Sequence, residues 1–188
     1  GTAVLRLGLV CGPQHTAHLP HDVGLALEFR LGAALSMAFS VTNPGTAPVA
    51  FEEALHTYFA VDDVRHVTVA GLKGVTYIDK VDGGRRKTQA EDFVTIGAET
   101  DRLYLDTGAD VTLSDPARRR RIRIVKTGSR STVVWNPWVA KSKAMPDFGD
   151  DEWPGMICIE TANAADNAVT VPARASHAMT AAITVTPA

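Results

Sequence analysis

The chain has 188 residues, a formal net charge of −2 and a hydrophobic content of 45%. It is long enough to bury a substantial core, and its balanced charge gives no electrostatic case for binding nucleic acid or an anionic membrane. Two cysteines, Cys11 and Cys158, show no paired spacing, which excludes a disulfide framework and reads as reduced core thiols of a cytoplasmic protein.

Residues 3–10 enter a strand-like pattern almost at once, as expected of a chain that begins inside a larger fold. Leu25, Leu27, Phe29 and Leu31 then alternate with Ala26, Glu28 and Arg30, and after Gly32-Ala33 the alternation resumes at Leu35, Met37, Phe39 and Val41. Period-two spacing of this kind predicts a β-hairpin with one apolar face. Asn43-Pro44-Gly45 closes it, since Pro fixes φ and Gly accepts positive φ. Residues 47–51 begin the next strand, which leads into Phe51-Glu52-Glu53-Ala54-Leu55-His56-Thr57-Tyr58-Phe59 and sets His56 at or near a strand end. An imidazole there stands where a plain core strand would carry an aliphatic.

Short β segments are predicted at 66–69, 75–78, 93–96, 103–105 and 111–113, and this regular spacing favours a sandwich or barrel over βαβ units. Arg85-Arg86-Lys87, after Asp82-Gly83-Gly84, reads as a solvated loop tip. Around Arg121-Ile122-Arg123-Ile124 the arginines should cover the wet face of an antiparallel strand. A nucleic-acid site would need interleaved aromatics and a basic excess. Residues 131–135 form a further strand ended by Asn136-Pro137, residues 141–145 a helical turn, and the last strands are 155–160, 168–171 and 178–185. No apolar run is long enough to span a bilayer.

Several motifs invite chemistry. His15, His18 and His21 are three residues apart, but Leu19-Pro20 breaks any helix that would align them, so no metal is expected. Cys158 lies in an apolar strand that raises a thiol pKa, which disfavours it as a nucleophile. Glu160 ends the run Met156-Ile157-Cys158-Ile159, and a carboxylate there must be paired, protonated or functional. With His56 it makes a candidate acid/base pair. Asp101 and the group Trp135-Asn136-Pro137-Trp138 add carboxylate, amide and aromatic surface, the usual makings of a carbohydrate pocket. On pattern alone these residues serve equally well as turn and packing residues.

The strings Phe51 to Phe59, Val133-Val134-Trp135-Asn136-Pro137-Trp138 with Lys141-Ser142, Met145, Asp147 and Phe148, and Met156-Ile157-Cys158-Ile159-Glu160-Thr161-Ala162 resemble the aldose 1-epimerase superfamily, closest to its D-hexose-6-phosphate mutarotases. The motifs occur in the family's order over essentially the whole chain. The resemblance implies an all-β, galactose-mutarotase-like antiparallel supersandwich, incomplete at its N-terminus, with residues 1–188 as one domain. It implies His56 and Glu160 as catalytic residues, and Asp101, Trp135 and Asn136 at the sugar. The reaction it implies is interconversion of the anomers of a hexose or hexose 6-phosphate, without cofactor or metal. The alternative is a non-catalytic carbohydrate-binding or structural β-sandwich.

The family's N-terminal His-Gly-Phe-Ala-Arg-like segment and its phosphate-holding arginines have no counterpart in this sequence. Strands removed from a sandwich leave unpaired edges and bare apolar faces, so a homodimer or a further segment pairing there is expected.

Overall fold

The computed structural model describes residues 1–188 except Thr16, His18 and His21. The chain opens with β1 (Ala3–Val10), β2 (Gly24–Leu31), β3 (Leu35–Asn43), β4 (Val49–Phe51), β5 (Glu53–Leu55) and β6 (Tyr58–Ala60). It continues with β7 (Thr68–Ala70), β8 (Thr76–Asp79), β9 (Arg85–Thr88), β10 (Phe93–Val94), β11 (Thr100–Tyr104) and β12 (Val111–Asp115). β13 (Arg120–Thr127), β14 (Ser131–Asn136), helix α1 (Trp138–Ala144), β15 (Met156–Asn163), β16 (Val169–Val171) and β17 (Ala175–Pro187) complete it.

Two antiparallel sheets form the sandwich. The larger has eight strands in the order β1-β2-β3-β17-β13-β12-β7-β10. The smaller runs β5-β15-β14-β11-β8-β9, with β6 also paired to β15. Alternation decides which side chains meet between them. Val69, Val111, Leu113, Ile122 and Ile124 from the larger sheet pack on Tyr77, Tyr104, Val134, Ile157 and Ile159 from the smaller. Arg121 and Arg123 lie on the exposed face of β13, as their alternation with isoleucine requires.

The other face of the smaller sheet carries a second, shallower apolar cluster of Leu103, Leu105, Val133 and Ala162, with Ile78 and Trp135 against it. This cluster is the floor on which the site is built. The two sheets are also tied by polar contacts. His177 of β17 brings Nε2 to 2.7 Å from Glu53 Oε1 on β5, and Asn163 of β15 donates to the same oxygen at 2.7 Å.

The hairpin predicted on either side of Gly32-Ala33 forms as β2 and β3, with Leu31 opposite Leu35. Three expectations change. Arg85, Arg86 and Lys87 are an edge strand rather than a loop tip, because β9 pairs with β8 and Lys87 bridges Asp79 and Asp82, each at 2.8 Å. The segment at 66–69 is split into a 3-10 turn, Val64–His66, and β7, since Asp63 accepts from the Arg65 amide and caps the turn. The helical turn expected at 141–145 begins earlier, at Trp138. β1 is an edge strand exposed along its whole length, Leu5, Leu7 and Leu9 included.

Candidate functional site

β5 and β6 both pair with β15, at Leu55 opposite Thr161 and Tyr58 opposite Cys158. Between them the ladder is interrupted. The Thr57 amide turns back to the Leu55 carbonyl at 2.9 Å, a three-residue turn centred on His56. Such local interruptions re-aim a side chain, and here the imidazole is turned over β15. Its Nδ1 lies 3.0 Å from Oε1 of Glu160.

The two partners differ sharply in exposure. His56 keeps 69% of its side-chain surface, whereas Glu160 keeps 7%. Ile157 and Ile159 point into the core, so Cys158, Glu160 and Ala162 share the other face of β15. Burial pushes the Glu160 carboxyl pKa up from its ordinary value, the nearby Asp101 charge adds to the rise, and His56 and Lys80 counter it. A carboxyl with raised proton affinity beside an open imidazole is suited to exchanging protons with a small hydroxylated molecule.

His56, Tyr58, Lys80, Asp101, Val133, Trp135 and Glu160 line a cavity of about 240 Å³. A second hollow of about 270 Å³ adjoins it, sharing His56, Lys80, Val133 and Glu160 and reaching Glu53 and Ala162. Asp101 arrives by register: it stands opposite Trp135 on β14, two residues along from the Val133 that faces Glu160. The Trp135 ring meets Tyr58 edge-on at 5.9 Å and Phe148 at 6.4 Å, making an aromatic wall on one side of the carboxylates.

His56, Glu160, Asp101 and Trp135 therefore converge on one cleft. Asn136 does not join them. It is fully buried on the opposite face, where its amide donates to the carbonyls of Trp153 at 2.8 Å and Met156 at 2.9 Å. Its Oδ1 accepts from the Trp138 amide at 2.9 Å, so the side chain holds the start of α1 to the start of β15. Trp138 likewise packs on Trp153, with ring centroids 4.2 Å apart.

Two polar residues of this cavity escaped the sequence reading. Tyr58 could have been found by strand parity from β6, since the buried Phe59 faces the core. Lys80 had no local signal, because it reaches the cleft only through the pairing of β8 with β11.

Among the described residues no group of three His, Cys, Asp or Glu side chains is placed to hold a metal ion. His15 accepts from the Gly12 amide at 3.0 Å, while His18 and His21 lie outside the described residues. Cys158 and Cys11 are free and buried, and burial pushes the Cys158 thiol pKa up. No helix among the described residues is long and apolar enough to cross a membrane.

The antiparallel sandwich thus carries an imidazole and a buried carboxylate in contact on the outer face of its smaller sheet, an arrangement suited to acid/base chemistry. The aldose 1-epimerase family model matches residues 5–184, and the chain belongs to that family. It is 35% identical over 147 residues to a protein of Cenchrus ciliaris named "Putative glucose-6-phosphate 1-epimerase", covering 76% of this chain and 45% of the relative. A protein of the same name from Escherichia coli K12 is 32% identical over 158 residues, covering 84% of this chain and 52% of the relative. The chain thus spans about half the length of these curated relatives. The crystal structure of YeaD from Salmonella typhimurium, described as a "putative mutarotase", superposes with a TM-score of 0.89 at 28% identity, covering 98% of this chain and 61% of that one.

Proposed function

We propose that the protein interconverts the α and β anomers of an aldohexose, with a hexose 6-phosphate as the preferred substrate and no cofactor. The observation that carries this reading is the 3.0 Å contact between His56 and Glu160 in a cleft that also presents Asp101 and Trp135. The phosphorylated substrate is supported by the names of the curated relatives. Those names also favour catalysis over a binding-only or structural sandwich.

Anomerisation needs one proton removed from the C1 hydroxyl and one delivered to the ring oxygen. Both oxygens hang on one carbon, so two groups in contact with each other span them. Glu160, ionised, takes the hydroxyl proton. His56 has Nδ1 turned to Glu160, which leaves Nε2 to protonate the ring oxygen. The C1–O5 bond breaks to give the open aldehyde, and rotation about C1–C2 followed by reclosure gives the other anomer. In the closing step the protons return, and both groups regain their starting states. Asp101 accepts from sugar hydroxyls, and Trp135 stacks on the apolar face of the ring.

We further infer a cytoplasmic protein that pairs with a second copy along the exposed edge strand β1. β1 is an edge strand exposed along its length, with Leu5, Leu7 and Leu9 uncovered. Sedimentation at micromolar concentration should show a dimer.

NMR exchange spectroscopy on glucose 6-phosphate, glucose and galactose tests the activity directly. Acceleration above buffer that disappears in His56→Ala supports the proposal. Saturable sugar binding without acceleration would leave a binding module instead.

A further inference from the structure

Asp101 and Glu160 are two carboxylates lining one small cavity, and like charges at close quarters push protons onto one another. For a mechanism that needs Glu160 ionised, a second carboxylate nearby is a liability unless something offsets it. The groups facing Glu160 are His56 from the turn between β5 and β6, Tyr58 from β6, Asp101 from β11 and Lys80 from the end of β8, with Glu53 and Glu52 in the adjoining hollow. Lys80 is the one permanent cation among these described residues.

Its position is fixed from the backbone outward. The Lys80 amide donates to the Asp101 carbonyl at 2.9 Å, continuing the β8–β11 ladder by one rung. Its Nζ lies 3.7 Å from Asp101 Oδ1, an open ion pair on a side chain that keeps 53% of its surface. The carboxylate is held but remains able to accept from another donor. Lys80 lines both hollows, so its ammonium stands along the cleft and not behind it.

We propose that Lys80 is a positioning residue for the acid/base pair: by pairing with Asp101 it offsets that carboxylate's charge, so Asp101 can receive sugar hydroxyls without forcing a proton onto Glu160. The inference rests on the anomerase reading for its consequence in rate. Its electrostatic content belongs to the free protein. Cationic neutralisation of Asp101 opposes the effect of burial on Glu160, the same direction in which Lys80 acts on that carboxyl.

The test uses Lys80→Met, Lys80→Arg, Asp101→Asn and the double variant Lys80→Met/Asp101→Asn. The apparent titration of Glu160 is followed by carboxyl ¹³C NMR in the absence of sugar, with thermal melting to confirm folding. Lys80→Met should shift the Glu160 midpoint upward, Lys80→Arg should restore it, and adding Asp101→Asn to Lys80→Met should cancel most of the shift. In the rate assay the acid limb of kcat should move with that midpoint, while KM changes less. An unchanged midpoint in Lys80→Met overturns the proposal. A Lys80→Met shift as large in the Asp101→Asn background as in the wild type also overturns it, because Lys80 would then act on Glu160 alone and not through Asp101. If the wild-type chain exchanges no anomers, the functional reading falls, and the ¹³C titration still decides the role of Lys80.

Discussion

Trp135 and Asn136 are consecutive residues of β14 that serve opposite faces of one sheet. The indole borders the cleft, and the amide is buried behind it with three backbone partners. Strand alternation makes this unavoidable, since neighbours on a strand cannot both face the same side.

Asn136→Ala should therefore act on stability rather than on chemistry. It leaves two buried carbonyls without their donor, at a cost of about 2–3 kcal/mol. Urea unfolding of the two proteins side by side would show it, and a midpoint unchanged from wild type would contradict the assignment.

Trp135→Ala should behave in the opposite way. Losing the stacking surface is expected to raise the half-saturating sugar concentration by about tenfold. Steady-state kinetics that show kcat falling with KM unchanged would count against a binding role.

His56→Ala and Glu160→Gln should each lower kcat by roughly 10²–10⁴-fold, the usual worth of a positioned proton donor or acceptor. The wild-type rate should fall toward acid pH as Glu160 takes up a proton, and burial places that fall above the ordinary carboxylate range. A rate that stays flat down to pH 4 would exclude an ionised Glu160 as the base.

Glu160 also carries a stability cost. Its pKa is raised in the folded state, so the stability it allows is fully present below the ordinary carboxylate pKa and is lost as pH rises through the folded value. Glu160→Gln should then be the more stable protein at pH 7, by on the order of 1 kcal/mol, and should lose that advantage near pH 4. Melting curves at the two pH values decide it.

Lys126 gives a second pH signature, remote from the cleft. It is buried with only neutral partners, donating to Ser131 O at 2.7 Å, Thr132 Oγ1 at 2.8 Å and Ser129 Oγ at 3.2 Å. Burial lowers its pKa from 10.5 to about 8. The folded state therefore releases this proton more readily than the unfolded one, and the stability linked to Lys126 is full above pH 10.5 and lost as pH falls through about 8. Relative to Lys126→Met, the wild type should gain up to about 3 kcal/mol between pH 8 and pH 10.5. A constant difference across that window would refute it.

The alternation of Leu25 to Val41 and of Arg121 to Ile124 was legible because one face is dry and one wet, and that contrast is written in neighbouring residues. His56 and Glu160 stood out for a related reason, as polar groups where an apolar strand should continue. Lys80 was silent because its place depends on which distant strand lies beside β8. The Arg85 to Lys87 edge was misread because three cations after two glycines look the same in a loop as on an edge whose acids come from Asp79 and Asp82. Asn136 was drawn to the sugar by its neighbour, and strand parity would have separated them.

The Glu53–His177 contact gives the site an anchor in both sheets, since Glu53 lies three residues before His56 and His177 belongs to the longest strand of the larger sheet. On the proposed mechanism, anomer exchange should then depend on structure well beyond the cleft. Heat inactivation and the collapse of tertiary fluorescence should trace one curve, so a plain assay of anomer exchange would double as a gauge of how much of a sample is folded.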